Sequence, residues 1–379
     1  MNFFNTQGMF ALIISVFLNG AVLASAYADE DVSAKIDTLL VDTYQSTGPG
    51  AAVLVVKDGK TILRKAYGMG NIEHNIALRP DMVFRIGSIS KQFTSTAIMR
   101  LVEEEKINLE DSITKFLPDY PTHGHNITVE NLLTHTSGIK SYTSLPETMK
   151  QISNEDLTVE ELTESFQNEP MDFAPSTEFL YNNSGYSLLG AIIEKVSGKS
   201  YEKYLQDEFF TPLNMSKSYY GSFTKIIPDR AMGYQIEEDK VSNATYLSMR
   251  VPYAAGALLS TVDDLKKWND ALFAGKVVSK KSLKRMTTPY VLSNGKNAGS
   301  DKAGQGYGYA LQMADMNGHL VVGHSGGING FITRMQNIQS EDLIVIVLTN
   351  STGGKVNPVI LANQISAIVL GETYTPPEK

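Results

Sequence analysis

The 379-residue chain contains no cysteine, one tryptophan and no extended block of lysine and arginine. Without cysteine there can be no disulfide scaffold, thiolate zinc or iron–sulfur centre, cysteine nucleophile or lipid-modified cysteine anchor. Charged residues make up only 20%, and acids outnumber bases by 41 to 33, giving a formal charge of −8. That balance argues against nucleic acid or an anionic membrane surface as a partner. With 42% hydrophobic residues, what remains is an acidic globular chain long enough to bury a sizeable core.

Met9–Leu23 is apolar apart from Ser15, Asn19 and Gly20, and is followed by Ala24-Ser25-Ala26-Tyr27-Ala28 and then by acidic residues. A short apolar core ending in a small-residue A-x-A site is the pattern of a secretory signal cleaved after Ala28. No lysine or arginine precedes the core, and an uncleaved single-helix anchor is the alternative. Either reading places the body of the protein beyond the cytoplasmic membrane, periplasmic or secreted. After cleavage no stable membrane anchor remains.

Asp58-Gly59 sits between the β-rich runs Ala51–Val56 and Thr61–Ala66, a strong hairpin signal. Strand patterns return at His319–His324, Phe331–Gln336 and Leu343–Thr349, and Val359–Leu370 reads as a closing helix. Between them the pattern is mostly helical, with helices expected at Tyr186–Val196 and Thr261–Phe273. The fold class expected is α/β (α+β). A discontinuous sheet domain, residues 29–82 with 300–379, would hold a five-stranded antiparallel sheet flanked by helices. A large all-helical insertion, residues 83–299, would leave a ligand cleft between the two parts.

Six Ser-x-x-Lys pairs occur: Ser88/Lys91, Ser112/Lys115, Ser137/Lys140, Ser200/Lys203, Ser222/Lys225 and Ser293/Lys296. On a helix this spacing puts the amine beside the hydroxyl, and chemistry further requires a desolvated lysine. Ser200 is better explained as a helix N-cap, and the others lie in turns or short polar segments. Ser88 follows a strand-like run and a glycine and opens a long apolar-faced helix, where backbone N–H groups can meet an oxyanion. It can equally be read as an N-cap. Tyr181 is the tyrosine followed by x-Asn, in Tyr181-Asn182-Asn183; beside a lysine it could move a proton, while Asn183 could hold the lysine or a carbonyl. The bland reading is a loop cap supplied by Asn183 or Ser184. Gly323-His324-Ser325-Gly326-Gly327 also matches a Gly-x-Ser-x-Gly elbow, but no histidine follows Ser325 and no helix pattern succeeds it. His123, His125 and His135 lack a nearby acid pair or cysteine to complete a metal site. Trp268 reads as core or cleft wall, and Gly68-x-Gly70 as a turn too short for a nucleotide fingerprint.

Phe84-Arg85-Ile86-Gly87-Ser88-Ile89-Ser90-Lys91, Leu132–Gly138, Tyr181-Asn182-Asn183 and His324-Ser325-Gly326-Gly327 stand in one order along the chain. In that order the chain resembles the serine β-lactamase and penicillin-binding-protein superfamily, in its class C, DD-peptidase and esterase branch. The resemblance spans about Ile36 to Leu370. It implies the β-lactamase/transpeptidase-like fold, an acylated nucleophile at Ser88, a proton partner at Lys91 and a general base and acid at Tyr181. It further implies substrate contacts from Asn183, His324, Ser325, Gly326 and Gly327. The Ser88 and Gly327 backbone N–H groups would form the oxyanion hole, with no metal or organic cofactor. The substrates implied are D-Ala-D-Ala-type peptides or small esters, acyl-D-Ala, ester or β-lactam. The alternatives are a class C-like β-lactamase and a cell-wall-peptide binding module with little turnover.

The pattern departs from β-lactamases where His324-Ser325-Gly326 replaces Lys-Thr-Gly. An unperturbed imidazole loses its charge near pH 6.5, so catalysis on carboxylated substrates is expected to weaken relative to neutral esters between about pH 6 and 8.

Overall fold

The computed structural model describes residues 31–376; the leader and its cleavage site lie outside the described residues. Helix α1 (31–43) leads into the hairpin β1 (Ala51–Lys57) and β2 (Lys60–Tyr67). Strand β3 (Phe84–Arg85) is followed by a 3-10 turn, Gly87–Ile89, and helix α2 (Ser90–Glu103). The middle of the chain supplies α3 (Asn183–Ser197), α4 (Tyr253–Gly256), β4 (Leu258–Ser260) and α5 (Val262–Phe273). The last part supplies β5 (Gly306–Tyr307), β6 (Gln312–Met316), β7 (His319–Ile328), β8 (Phe331–Ile338), β9 (Leu343–Thr349) and α6 (Pro358–Leu370).

The main sheet is antiparallel, in the order β5-β6-β7-β8-β9-β1-β2, so the two ends of the chain share it as expected. Period-two alternation divides β1 and β9 between two cores. Ala51, Val53, Val55, Leu343, Val345 and Val347 pack with Ile36 and Leu40 of α1 and Leu361 and Ile365 of α6. Ala52, Leu54, Val56, Ile344, Ile346 and Leu348 face the larger core, which contains α2, α3 and α5. Each fully buried valine, leucine or isoleucine among them contributes about 1.5–3 kcal/mol by burial. Helix α6 covers one sheet face and α5 the other.

Two expectations need correction. The sheet has seven strands, because β6 and β5 extend it beyond the five apparent from β-rich patterning. Strand β6, Gln-Met-Ala-Asp-Met, has no β-branched residue, yet Asn317 and Gly318 (φ 55° and 90°) turn it tightly into β7. Asn-Gly at two positive-φ positions is itself a hairpin signal. The middle segment is also not all helical. It carries a small sheet of β3, β4 and Tyr219–Tyr220, and a hairpin of Tyr234–Glu237 with Lys240–Asn243 that pairs with Ser351–Gly353. Pairing of β3 with β4 fixes where the chain enters the turn before α2.

Candidate active site

Gly87, at φ +50°, swings the chain from β3 into the Gly87–Ile89 turn, a conformation that excludes most side chains. Ser88 sits in that turn. Its hydroxyl caps neither the turn nor α2, since neither has a side-chain cap bond, so Oγ is not spent on the helix start. Helix α2 is buried along most of its length, and Lys91 on its first turn is fully buried. Trp268 of α5 stacks on Phe93 with centroids 3.9 Å apart, holding the helix from the side opposite the cleft.

Lys91 Nζ lies 3.1 Å from Ser88 Oγ, and 2.8 Å from both Asn183 Oδ1 and Ala255 O. No carboxylate pairs with it among the described residues. Lys115, Lys140, Lys203, Lys225 and Lys296, the lysines of the other five Ser-x-x-Lys pairs, each hold an aspartate or glutamate. Burial pushes the Lys91 amine well below its ordinary range. A neutral amine has two N–H groups and one lone pair. Asn183 Oδ1 and Ala255 O can take the two hydrogens, which leaves the lone pair toward Ser88.

Asn183 is free for this contact because Asn182 provides the cap of α3, accepting from Gly185 N at 2.8 Å. Asn183 Nδ2 donates to Thr143 Oγ1 at 3.0 Å, fixing the amide orientation. The Tyr181 ring lies 4.8 Å below Lys91 Nζ. Its buried hydroxyl closes no hydrogen bond, and burial raises its pKa, an effect that nearby Ser88 partly offsets. Tyr181 is therefore a phenol rather than a phenolate at neutral pH.

His324 departs from expectation. It is buried, and together with the Lys91 charge burial pushes its pKa down to about 3, so it does not titrate between pH 6 and 8. A closed relay explains why. Asn182 N donates to His135 Nδ1 (3.0 Å), leaving Nε2–H to donate to Tyr307 Oη (3.0 Å). Tyr307 then donates to His324 Nε2 (2.9 Å), and His324 Nδ1–H donates to Ser325 O (2.5 Å). Every imidazole nitrogen is satisfied with both rings neutral. The rings of His135, Tyr307 and His324 enclose that of Tyr181, with centroids 4.3, 6.2 and 6.0 Å away. His324 thus packs against Tyr181 with both of its ring nitrogens already bonded within the protein. His135, considered above as a metal ligand, has both ring nitrogens committed to this relay.

Strand β7 approaches the Ser88 turn closely. A Cβ on Gly326 would lie 2.0 Å from Ile86 O, and one on Gly87 would lie 2.9 Å from Gly327 N. Gly327 faces open space on its other side. Ser325, half-buried, alternates to the opposite face of β7, where its hydroxyl accepts from Arg334 Nη1 at 3.3 Å. Arg334 is buried behind the strand and also donates to Gln336 and Gln312. Ser88 opens into a cavity of about 160 Å³ lined with Tyr142, Asn183, Leu247, Val251, Gly327 and Asn329, among others.

Of the eight candidate residues, Ser88, Asn183 and Gly327 line this cavity, Lys91 touches Ser88 and Asn183 with the Tyr181 ring beneath it, and Gly326 packs against Ile86. His324 and Ser325 support it from behind and beside. Sequence reasoning missed Gly87, Tyr307, Arg334 and the Ala255 carbonyl. The Gly306-Tyr307-Gly308-Tyr309 alternation is the one signal among these that stands out in the sequence.

The beta-lactamase family profile matches residues 34–368. PbpX of Bacillus subtilis (strain 168) is 32% identical over 243 residues, which cover 64% of this chain and 59% of that protein. The chain spans about half to three fifths of the length of the curated relatives it matches. The octameric penicillin-binding protein homologue from Pyrococcus abyssi superposes with a TM-score of 0.77 at 32% identity, covering 90% of this chain and 78% of that one. A D-amino acid amidase from Ochrobactrum anthropi SV3, in complex with L-phenylalanine, gives 0.75 at 26% identity over 90% of this chain and 98% of that one.

Proposed function

The chain belongs to the beta-lactamase family, and from that premise we propose that it is an exported serine hydrolase that cleaves small acyl donors through an acyl-enzyme at Ser88. The observation that carries this reading is the Lys91 amine, buried without a carboxylate and 3.1 Å from Ser88 Oγ. Ser88 Oγ attacks the carbonyl carbon while its proton passes to the Lys91 lone pair. The carbonyl electrons move onto oxygen, which meets the Ser88 and Gly327 N–H groups. When the oxyanion collapses, the Tyr181 phenol gives its proton to the departing amine or alkoxide and regains one from Lys91. Water then releases the acid by the same steps in reverse. Export rests on the leader pattern before Asp29.

Around Ser88 the cavity lining carries no formal charge: Tyr142, Thr143, Met149, Leu247, Val251 and Ile328 border the reacting bond. The family resemblance and the amidase neighbour support D-aminoacyl amides, D-Ala-D-Ala-type peptides and small esters as substrates. A neutral, buried His324 where β-lactamases carry a lysine supports ranking β-lactams behind these.

Intact mass measured over time with D-phenylalanine amide, a D-Ala-D-Ala peptide, a p-nitrophenyl ester and benzylpenicillin tests the reading, for wild type and Ser88→Ala. Turnover of the amide, peptide or ester, with any adduct lost in Ser88→Ala, is the expected result. Full turnover by Ser88→Ala overturns it.

A further inference from the structure

Strand β3 ends one turn before Ser88, and its last residue, Arg85, has an unusual environment. Its guanidinium carbon lies 5.2 Å from the centroid of the Phe223 ring and 5.8 Å from that of Phe331. A second guanidinium, that of Arg230, lies 5.7 Å from the same Phe223 ring. Among the described residues neither arginine has a carboxylate within ion-pair distance. Asp229, next to Arg230 in sequence, is taken up by Arg79 and Lys217. Arg230 donates to the Ser222 carbonyl at 2.9 Å, and the Arg85 side chain has no hydrogen-bond acceptor among the described residues. Arg334, buried near the cleft, is different: three neutral acceptors satisfy it. Burial and the neighbouring Arg230 charge together push the Arg85 pKa down to about 10, which marks how poorly this cation is compensated.

The two arginines line a cavity of about 190 Å³ with Phe223, Tyr246, Asn329 and Phe331. Asn329 also lines the Ser88 cavity, so the two spaces share a wall. Asn329 Nδ2 donates to Thr245 Oγ1 at 2.9 Å, which anchors that wall. Phe223 and Tyr246 are exposed at the rim, with centroids 4.4 Å apart. Two guanidiniums on one ring gain from its quadrupole but repel each other, and a bound anion removes that repulsion.

The direction of the pocket follows from β7. His324 packs beside Tyr181, which in the function proposed above protonates the leaving group, and Gly327 faces Ser88. Continuing along the chain through Ile328, Asn329 lines both cavities, whereas Tyr181 lines neither. With the leaving group at Tyr181, the acyl group falls on the Asn329 side.

We propose that the Arg85–Arg230 pocket binds a carboxylate at the far end of the substrate's acyl group. The inference rests on the acyl-enzyme reading for the orientation of substrate, but not for the binding of the anion. A planar guanidinium pair suits a carboxylate, and the aromatic rim suits the apolar spacer that links it to the reacting carbonyl.

The test compares the p-nitrophenyl monoesters of adipic and suberic acid with p-nitrophenyl hexanoate and octanoate, which match them in acyl length without the terminal carboxylate. The ratio of kcat/KM for the charged over the neutral ester is expected to fall about 10-fold or more in Arg230→Gln, and to recover in part in Arg230→Lys. Arg85→Gln is expected to act the same way. Arg230 is exposed, so its substitutions keep the test valid if Arg85→Gln fails to fold. An unchanged ratio in Arg230→Gln overturns the proposal. Calorimetric titration of Ser88→Ala with suberate and, separately, sulfate distinguishes the sources of the anion. Suberate binding that is lost in the Ser88→Ala/Arg230→Gln double variant supports the pocket, even if wild type hydrolyses none of the esters and the acyl-enzyme reading itself fails. Equal binding of sulfate and suberate with an unchanged ester ratio indicates a general anion site and overturns the acyl-end assignment.

Discussion

Asn183 Oδ1 accepts a hydrogen bond from Lys91 Nζ at 2.8 Å, and it does so as a neutral acceptor. A carboxylate in its place would stabilise the ammonium form, remove the lone pair facing Ser88 and raise the Lys91 pKa. Asn183→Asp is therefore expected to lower kcat/KM on a p-nitrophenyl ester about 10-fold or more at pH 7. Because the effect acts on protonation, the loss should shrink as pH rises and the amine deprotonates. In wild type the acid limb of the same profile should fall well below the ordinary lysine range, as burial of Lys91 dictates. A pH–rate profile for the two proteins checks both statements.

His324 bears on pH dependence by not titrating. Its pKa is pushed down to about 3, so it holds no proton to lose between pH 6 and 8. The ratio of kcat/KM for a carboxylated over a neutral ester is expected to stay constant over that interval. His324→Lys would bury a cation beside the Lys91 amine, with the Arg334 charge also close by. Such an uncompensated buried charge is expected to destabilise the fold by about 3–5 kcal/mol, measured by urea unfolding. A lysine at this position giving an unchanged midpoint would contradict the buried placement.

How far the sequence carried the site is clearest from neighbouring residues. Ser88 and Lys91 were legible because one helical turn brings hydroxyl and amine together, and local spacing is written in the chain. The choice among six such pairs rested on the context of Ser88 and on motif order, and the fold adds that each of the other five lysines holds a carboxylate while Lys91 does not among the described residues. His324 was expected to meet substrate, and the structure buries it with both ring nitrogens bonded. Motif order put it on the strand beside the cleft, but only the fold brings Tyr307 to its Nε2, from 17 residues away, and His135 to the far side of that tyrosine hydroxyl, from 189 residues away. Strand β6 escaped because its residues lack β-branching, although the Asn317-Gly318 turn beside it was visible. The β1–β9 pairing joins segments nearly three hundred residues apart; strand patterns at both ends of the chain pointed to one shared sheet, but not to which strands are neighbours.

Tyr307 connects the two histidines, so removing its hydroxyl leaves His135 Nε2–H and His324 Nε2 without partners in a buried site. Each orphaned group costs on the order of 1–3 kcal/mol. Tyr307→Phe is expected to lower stability by that order and to reduce kcat more than it changes KM, because the rings around Tyr181 lose their common anchor. Chemical denaturation with steady-state kinetics reads both effects. An unchanged kcat would mean that Tyr181 is held without the relay.

Trp268 is the single tryptophan, fully buried and stacked on Phe93 of the helix that carries Lys91. Its Nε1–H donates to Gln92 Oε1 at 3.2 Å. Trp268→Ala should cost about 3–5 kcal/mol, the range for removing a large buried aromatic. Wild-type fluorescence should be blue-shifted and should move red in one step with unfolding of the α2–α5 core. Emission already at the wavelength of exposed tryptophan in the native protein would refute this packing.

Gly87 is where backbone geometry and the reacting oxygen meet. Its φ of +50° already disfavours a side chain, and an added methyl would stand 2.9 Å from Gly327 N and 3.1 Å from Gly327 O. Both neighbours are backbone, so relief requires β7 to move away from Ser88. That motion withdraws the Gly327 N–H from the position expected of an oxyanion donor. Gly87→Ala is therefore expected to lower kcat about 10²–10³-fold, the usual cost of losing one such donor. Gly124 supplies the control: it also has positive φ, +82°, but a Cβ there meets nothing within 4 Å. Gly124→Ala should lose a little stability from backbone strain and retain kcat. Equal kcat in wild type and Gly87→Ala would remove Gly327 from the oxyanion site.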